Sequence, residues 1–233
     1  MMEKLVVLGA GESGIGAAIL GKQKGYEVFL SDINIIPLAL QSLLDEKEII
    51  WESGQHSLNL MKGASIAVKS PGIPRDLPLL HGLRSNGTQI LSEIEFAAQS
   101  TSATLIGITG TNGKTTTTMM TYEILKNAGF HVGLAGNIGS SFAKQVAEED
   151  FDYYILELSS FQLDDIDQFL PHIAVITNIT PDHLDRYAYS FESYIHAKLK
   201  IAKNQSSKNF FLFNSDDEVL FKALNNHKIN SKK

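Results

Sequence analysis

Twice in this chain a short, wholly apolar run empties into a glycine loop and then into a stretch with helical spacing. The first is KLVVLGAGESG, Lys4 to Gly14, and the second is ATLIGITGTNGK, Ala103 to Lys114. A strand that is apolar at consecutive positions must be covered on both faces, which is the condition of a parallel sheet. Five more runs of this kind follow: YEVFLS, SIAVKS, DYYILEL, HIAVITNI and NFFLFN. Helical stretches fall between them, such as Gly14 to Lys24, Thr115 to Ala128, Phe191 to Asn204 and Asp216 to Asn225. This alternation predicts an α/β fold with doubly wound parallel sheets. The small, polar AAQSTSA, Ala97 to Ala103, separates the two halves. A boundary at Ser100 to Ser102 is therefore expected, giving domains of 1–100 and 101–233. The second half shows only about four such runs, and its tail NNHKINSKK adds none, so that half reads as incomplete.

Composition narrows the functions such a fold can carry. A net charge of −6 offers no basic field for a nucleic-acid backbone, so an anionic ligand must be held by local donors. The absence of cysteine removes disulfides, thiolate metal ligands and thiol nucleophiles, and suits a reducing cytoplasm. The opening residues run into a glycine turn rather than a secretory h-region, and no apolar stretch approaches the roughly 20 residues of a spanning helix. The expectation is a soluble, cytoplasmic protein with neither nucleic acid nor membrane as partner.

Gly9, Gly11 and Gly14 fit G-x-G-x-x-G between strand and helix, and Asp32 closes the next strand. The first half is thus Rossmann-like. Its glycines let helix-start amides meet a diphosphate, while the carboxylate can accept from a ribose hydroxyl or a base N–H. NAD, FAD and a nucleotide sugar would suit these donors alike, and a purely structural turn is the remaining reading. KSPGI, Lys69 to Ile73, is a second strand-end turn in this half.

The second loop has more chemistry. Gly110, Gly113, Lys114 and Thr115 supply flexible backbone, a cation for phosphate and a hydroxyl for Mg²⁺. A strict P-loop has glycine where Ile108 stands, so this is a variant with its extra glycine at Gly110. The β-branched threonines that follow are poor helix formers and are better explained by their hydroxyls. Glu157, ending DYYILEL, is a candidate metal-holding acid, or else an ordinary strand-end carboxylate. NITPDHLDRY then gathers Asp182, His183 and Asp185 in one loop. On the helix from Phe191, a 100° projection puts Phe191, Tyr194, Ile195 and Ala202 on one face with Lys198 near its centre. Glu192, His196, Lys200 and Lys203 fall on the other. An inward lysine must snorkel, pair with an anion or be chemically altered.

With these residues in view, the chain resembles the Mur ligase family along nearly its whole length. The match is carried by GITGTNGKTT, GNIG (Gly136 to Gly139), ELSSFQL (Glu157 to Leu163), NITPDHLDRY, AKLKI (Ala197 to Ile201) and NSDD (Asn214 to Asp217), with GAGESG and SPGI in the first half. SSFQL after the acid points to the member that adds D-glutamate. The resemblance implies a first domain that holds the UDP of a nucleotide sugar and a P-loop ATPase-type central domain that holds ATP. The reaction it implies is attack of the carboxylate of UDP-N-acetylmuramoyl-L-alanine on the γ-phosphate of ATP. Displacement from that acyl phosphate by the amine of D-glutamate follows, as a step of peptidoglycan synthesis.

By motif position, the resemblance places Ser13 at the UDP diphosphate, Asp32 at the uracil side and Ser70 on the adjoining loop. Asn137, Ser159, Gln162 and His183 would guide the muramoyl-alanine portion. Gly110, Thr111, Asn112, Gly113, Lys114, Thr115 and Thr116 would bind ATP. Thr115 and Glu157 would serve one Mg²⁺, and His183 with Lys198 a second. Lys114, His183 and Lys198 would be the catalytic set, with Lys198 carrying a CO₂-derived carbamate. The family has three domains, so the expectation is a monomeric fragment with an incomplete central domain, no C-terminal domain and no ligase turnover of its own. Two competing readings are an NAD-dependent oxidoreductase, which leaves Lys114, Glu157 and His183 unused, and a non-catalytic module that binds the UDP precursor.

Overall fold

The computed structural model describes residues 2–74, 76–227 and 229–233. It divides into two compact units, Met1–Ser100 with Ser141–Glu149, and Thr101–Ser140 with Asp150–Lys233. Among the described residues no helix is long and apolar enough to cross a membrane.

The first unit alternates β1 (Lys4–Leu8), α1 (Glu12–Gln23), β2 (Glu27–Asp32), α2 (Leu38–Glu46), β3 (Ile50–Ser53), α3 (Leu58–Met61), β4 (Ala64–Lys69), α4 (Pro78–Ser85), β5 (Gln89–Ser92) and α5 (Glu93–Ala98). Its strands pair in parallel in the order β3-β2-β1-β4-β5. The central strand has Leu5, Val6, Val7 and Leu8 all fully buried, as its unbroken apolar run demands. Between β1 and α1 the chain turns at Gly9 with φ +96°, and a Cβ on Gly14 would overlap the Gly9 carbonyl. Both positions therefore require glycine, one for conformation and one for close approach.

One helix of this unit comes from far along the sequence. Phe142–Glu148, the seventh helix in chain order and called α7, packs on α1 and α5. Ser141 caps it, accepting from the Lys144 amide at 3.2 Å. Glu93 accepts from the Ser141 hydroxyl at 2.8 Å and the Ala143 amide at 2.7 Å, and Glu12 accepts from the Ser141 amide at 3.1 Å. Carboxylates suit the positive end of a helix. Burial nevertheless pushes the Glu93 carboxyl up to about 6, and the charge of Glu12 acts in the same direction.

The second unit contains β6 (Thr104–Thr109), α6 (Lys114–Asn127), β7 (Val132–Gly136), β8 (Tyr153–Glu157), α8 (Ser160–Asp164), β9 (Ile173–Ile176), α9 (Phe191–Leu199), β10 (Phe210–Phe213) and α10 (Glu218–Asn226). Single 3₁₀ turns form at Leu184–Tyr187 and Lys200–Ala202. The sheet is again parallel, in the order β10-β9-β6-β8-β7. It holds five strands where the sequence predicts about four. The extra one is β7, VGLAG, whose small side chains make no conspicuous apolar run. In each sheet the first strand is flanked by later strands on both sides, so its carboxyl end is a topological switch point where open α/β sheets take ligands.

Candidate active site

At the switch point of the second sheet the chain leaves β6 through Gly110 and enters α6 from Gly113, which is left-handed at φ +79°. No side chain caps α6, so the amides of its first turn remain available to an anion. The loop is braced from the end of β9. The Thr111 amide donates to the Asn178 carbonyl at 2.9 Å, and the Asn112 amide donates to Asn178 Oδ1 at 2.9 Å. Asn178 Nδ2 returns a bond to the Asn112 carbonyl at 2.9 Å. Thr111 Oγ1 bonds both the carbonyl and the amide of Thr180, each at 3.0 Å. Two motifs about seventy residues apart thus hold one another through neutral groups, which leaves the positive character of the loop intact.

Lys114 Nζ donates to the Thr111 carbonyl at 2.8 Å, which keeps the ammonium over its own loop. Lys198 comes to the same place from α9. Its side chain is only 1% exposed, its Nζ donates to the Gly110 carbonyl at 2.7 Å, and it lies 4.7 Å from the centre of the Tyr194 ring. The inward face expected for this helix is present in part: Tyr194, Ile195, Lys198 and Ala202 are buried and Glu192, His196 and Lys203 exposed, while Phe191, expected inside, and Lys200, expected outside, are both half-buried. Burial, with the neighbouring charge of Lys114, pushes the Lys198 ammonium down to about 7, against a smaller opposing pull from Asp182. Tyr194 is itself anchored, its hydroxyl 3.2 Å from Thr111 Oγ1.

Glu157 ends β8 and is 1% exposed. Asn137 donates to its Oε1 at 2.8 Å, while Oε2 is buried with no partner among the described residues. Ser159 follows and caps α8 in a reciprocal box with Gln162. Gln162 Oε1 takes the Ser159 amide at 2.9 Å and its hydroxyl at 3.0 Å, an arrangement worth about 1 kcal/mol to the helix. His183 is left-handed at φ +48°, and its ring lies 5.4 Å from that of Phe161. Its Nε2 sits 3.5 Å from Asp182 Oδ2.

A cavity of about 140 Å³ brings Lys114, Asn137, Ser159, His183 and Lys198 together, with Ser160, Phe161, Asp182 and Tyr194 completing its wall. Gln162 is turned into the cap of α8 rather than onto that wall, and Thr115 and Thr116 are exposed on the first turn of α6. Asp185 lies in the 3₁₀ turn that follows. Sequence reasoning assigned no role to Asp217, the last residue of NSDD. Its Oδ1 caps α10 by accepting from Leu220 at 2.9 Å, while Oδ2 accepts from the Ile179 amide at 2.8 Å, at the head of the loop that carries His183. The signal was there in the sequence, an aspartate one residue before a helical pattern.

In the first unit the corresponding loop has other fittings. Asp32 Oδ2 accepts from the Ala10 amide at 2.6 Å and Oδ1 from the Asn34 amide at 2.8 Å, so the carboxylate braces two turns. Ser13 lies in the first turn of α1. Ser70 Oγ, packed beside Gly9, is buried with no partner among the described residues.

Fold and site together define a phosphate-loop α/β protein, with a lysine-bearing loop and an uncapped helix start at the sheet's switch point. Comparison with known proteins makes the class specific. Residues 108–233 match the family description Mur ligase middle domain, and the chain belongs to the Mur ligase family. The chain is 54% identical over 228 residues to UDP-N-acetylmuramoylalanine--D-glutamate ligase of Bacteroides fragilis, covering 98% of this chain and 51% of that protein. The enzyme of the same description from Christiangramia forsetii is 48% identical over 233 residues, covering 100% and 52% respectively. The chain therefore spans about half the length of these relatives. The fold is shared with a UDP-N-acetylmuramate:L-alanyl-gamma-D-glutamyl-meso-diaminopimelate ligase from Neisseria meningitides. That likeness has a TM-score of 0.70 at 19% identity and covers 100% of this chain and 78% of that one. UDP-N-acetylmuramate-alanine ligase from Thermotoga maritima shares it at TM-score 0.58 and 23% identity, over 93% of this chain and 50% of that one.

Proposed function

We propose that this chain supplies the nucleotide-sugar and ATP sites of a ligase that joins D-glutamate to UDP-N-acetylmuramoyl-L-alanine in the cytoplasm. The observation that carries the reading is the convergence of Lys114, His183 and Lys198 on one small cavity at the start of α6. Lys114 and the α6 amides would hold the β- and γ-phosphates. Asn137, Ser159 and His183 would hold the muramoyl-alanine carboxylate in line with the γ-phosphate, where orientation alone removes much of the barrier. In the first unit, the unpartnered Ser70 hydroxyl and the start of α1 suit the UDP diphosphate, and Asp32 would face the uracil side.

The buried, unpartnered Glu157 Oε2 is a hard oxygen atom of the kind magnesium takes, and Thr115, in the phosphate-loop motif, would add a hydroxyl; a second ion would fall to His183 and to Lys198 once its nitrogen carries a carboxylate. The chemistry such an ion would supply is neutralisation of the charge that develops in phosphoryl transfer. Lys198 suits carbamylation because an ammonium pushed down to about 7 by burial leaves a share of its molecules as free amine at neutral pH. Its nitrogen, as the free amine, attacks CO₂, one C–O π pair moves to oxygen, and the nitrogen releases a proton to solvent, which turns the neutral amine into an anion able to support metal.

Titration calorimetry of the full chain tests the reading, with MgATP and UDP-N-acetylmuramoyl-L-alanine as separate ligands. One equivalent of each is expected, with Lys114→Ala losing the first and retaining the second. MgATP binding by Lys114→Ala and Lys198→Ala equal to that of the parent chain would overturn the assignment. Carbon-13 NMR in labelled bicarbonate should show a carbamate signal that Lys198→Arg abolishes.

A further inference from the structure

We propose that His196 and His227 form a second metal site, a two-imidazole clip for a zinc-class divalent ion that joins α9 to the end of α10. His196 Nδ1 and His227 Nε2 are 3.2 Å apart. Which nitrogens carry protons follows from a second contact. His227 Nδ1 lies 2.9 Å from the Ala223 carbonyl, which can only accept, so this nitrogen carries the hydrogen and Nε2 holds a lone pair. A histidine whose far nitrogen donates to a backbone carbonyl has the orientation and tautomer that metal-ligating histidines adopt.

The spacing suits an ion as well as a shared proton. Two nitrogens each about 2.0–2.1 Å from one Zn²⁺, at a near-tetrahedral angle, lie about 3.3 Å apart. His196 now donates from Nδ1. Binding needs the tautomer with its proton on Nε2, and the ring is exposed, so solvent can carry out the exchange. Among the described residues no three or more histidine, cysteine, aspartate or glutamate side chains gather in a metal-holding group. The remaining positions on the ion therefore fall to water, and the site should be exchangeable and selective for imidazole-preferring ions over Mg²⁺.

Such a clip would have a structural effect near the cavity. α10 is tied at its start to Ile179 by Asp217, and α9 carries Lys198. An ion joining the other end of α10 to α9 closes a brace around the His183 loop.

The test is calorimetry of the tag-free full chain with ZnCl₂, in the His183→Ala background so that the phosphate cavity contributes no histidine, together with Cu²⁺ electron paramagnetic resonance. One Zn²⁺ per chain is expected, uncompeted by Mg²⁺, with a two-nitrogen pattern for Cu²⁺. His196→Asn and His227→Asn should each weaken Zn²⁺ binding at least tenfold. His196 is exposed, so its variant reads the site even if the His227 substitution frays α10, which circular dichroism would reveal. Undiminished Zn²⁺ binding by the double variant, or no binding by the parent, overturns the proposal.

Discussion

The two glycine loops share a plan and differ in what braces them. In both, a side chain from the end of another strand takes one loop amide: Asp32 takes Ala10 at 2.6 Å, and Asn178 takes Asn112 at 2.9 Å. The first brace brings a full negative charge to its loop. The second brings none, and two lysines stand beside it. A loop held by a carboxylate suits a ligand that offers hydroxyl or N–H donors along with its phosphates, whereas a loop held by an amide can accept a more concentrated anion. The helices differ too. α1 buries Gly14, Ile15, Gly16, Ala17, Ala18, Leu20 and Gly21, while only Thr118 of α6 is buried. The first loop is built into its unit; the second is held mainly by hydrogen bonds.

Four substitutions probe this contrast, from the largest expected effect to the smallest. Lys114→Ala removes the cation that only the second loop has, and should weaken MgATP binding about a hundredfold, the worth of one strong charge-assisted contact, while sparing UDP binding. Calorimetry with both ligands would show it.

Glu93→Gln addresses the first unit. An acid with a raised pKa binds its proton more tightly when folded, so its stabilising share is complete below the ordinary value of 4.5 and is lost as pH rises through about 6. The glutamine should therefore stabilise the protein by about 2 kcal/mol at pH 7.5, and this gain should vanish towards pH 4.5 in thermal melts. A gain independent of pH would break the argument.

Asn178→Asp gives the second loop the first loop's kind of brace. It should reduce MgATP affinity about tenfold through added negative charge, an effect that shrinks with salt. Unchanged affinity would mean that brace charge is irrelevant. Asp217→Ala should cost about 1 kcal/mol from the lost cap, and it frees Ile179. Hydrogen exchange should then speed up at residues 179–183 and stay unchanged at the first loop.

How much of this could be read from the sequence depended on burial. The seven continuous apolar runs all became strands, because unbroken apolarity and two-sided cover have the same cause. The three strands that escaped notice, IWES, QILS and VGLAG, are all edge strands, where one side lacks a neighbour and polar or small residues suffice. Lys198 was legible because a helix projection exposes an inward charge. Asn178 was not, and of Asp217 only the helix cap was, since their bonds to amides distant in sequence are encoded by no local pattern. FAKQVAE likewise says nothing about which sheet's helices it will join.

The placement of α7 has a consequence for synthesis. The first unit is not contiguous, so a nascent chain released only to Ser100 lacks the helix that covers α1 and α5 and that satisfies Glu93. At roughly 5–20 residues per second, a ribosome needs several more seconds to deliver it. Until then the half-made unit must wait with an apolar seam and a buried-to-be acid both open to water, and a gene cut at the obvious linker would freeze it in that condition.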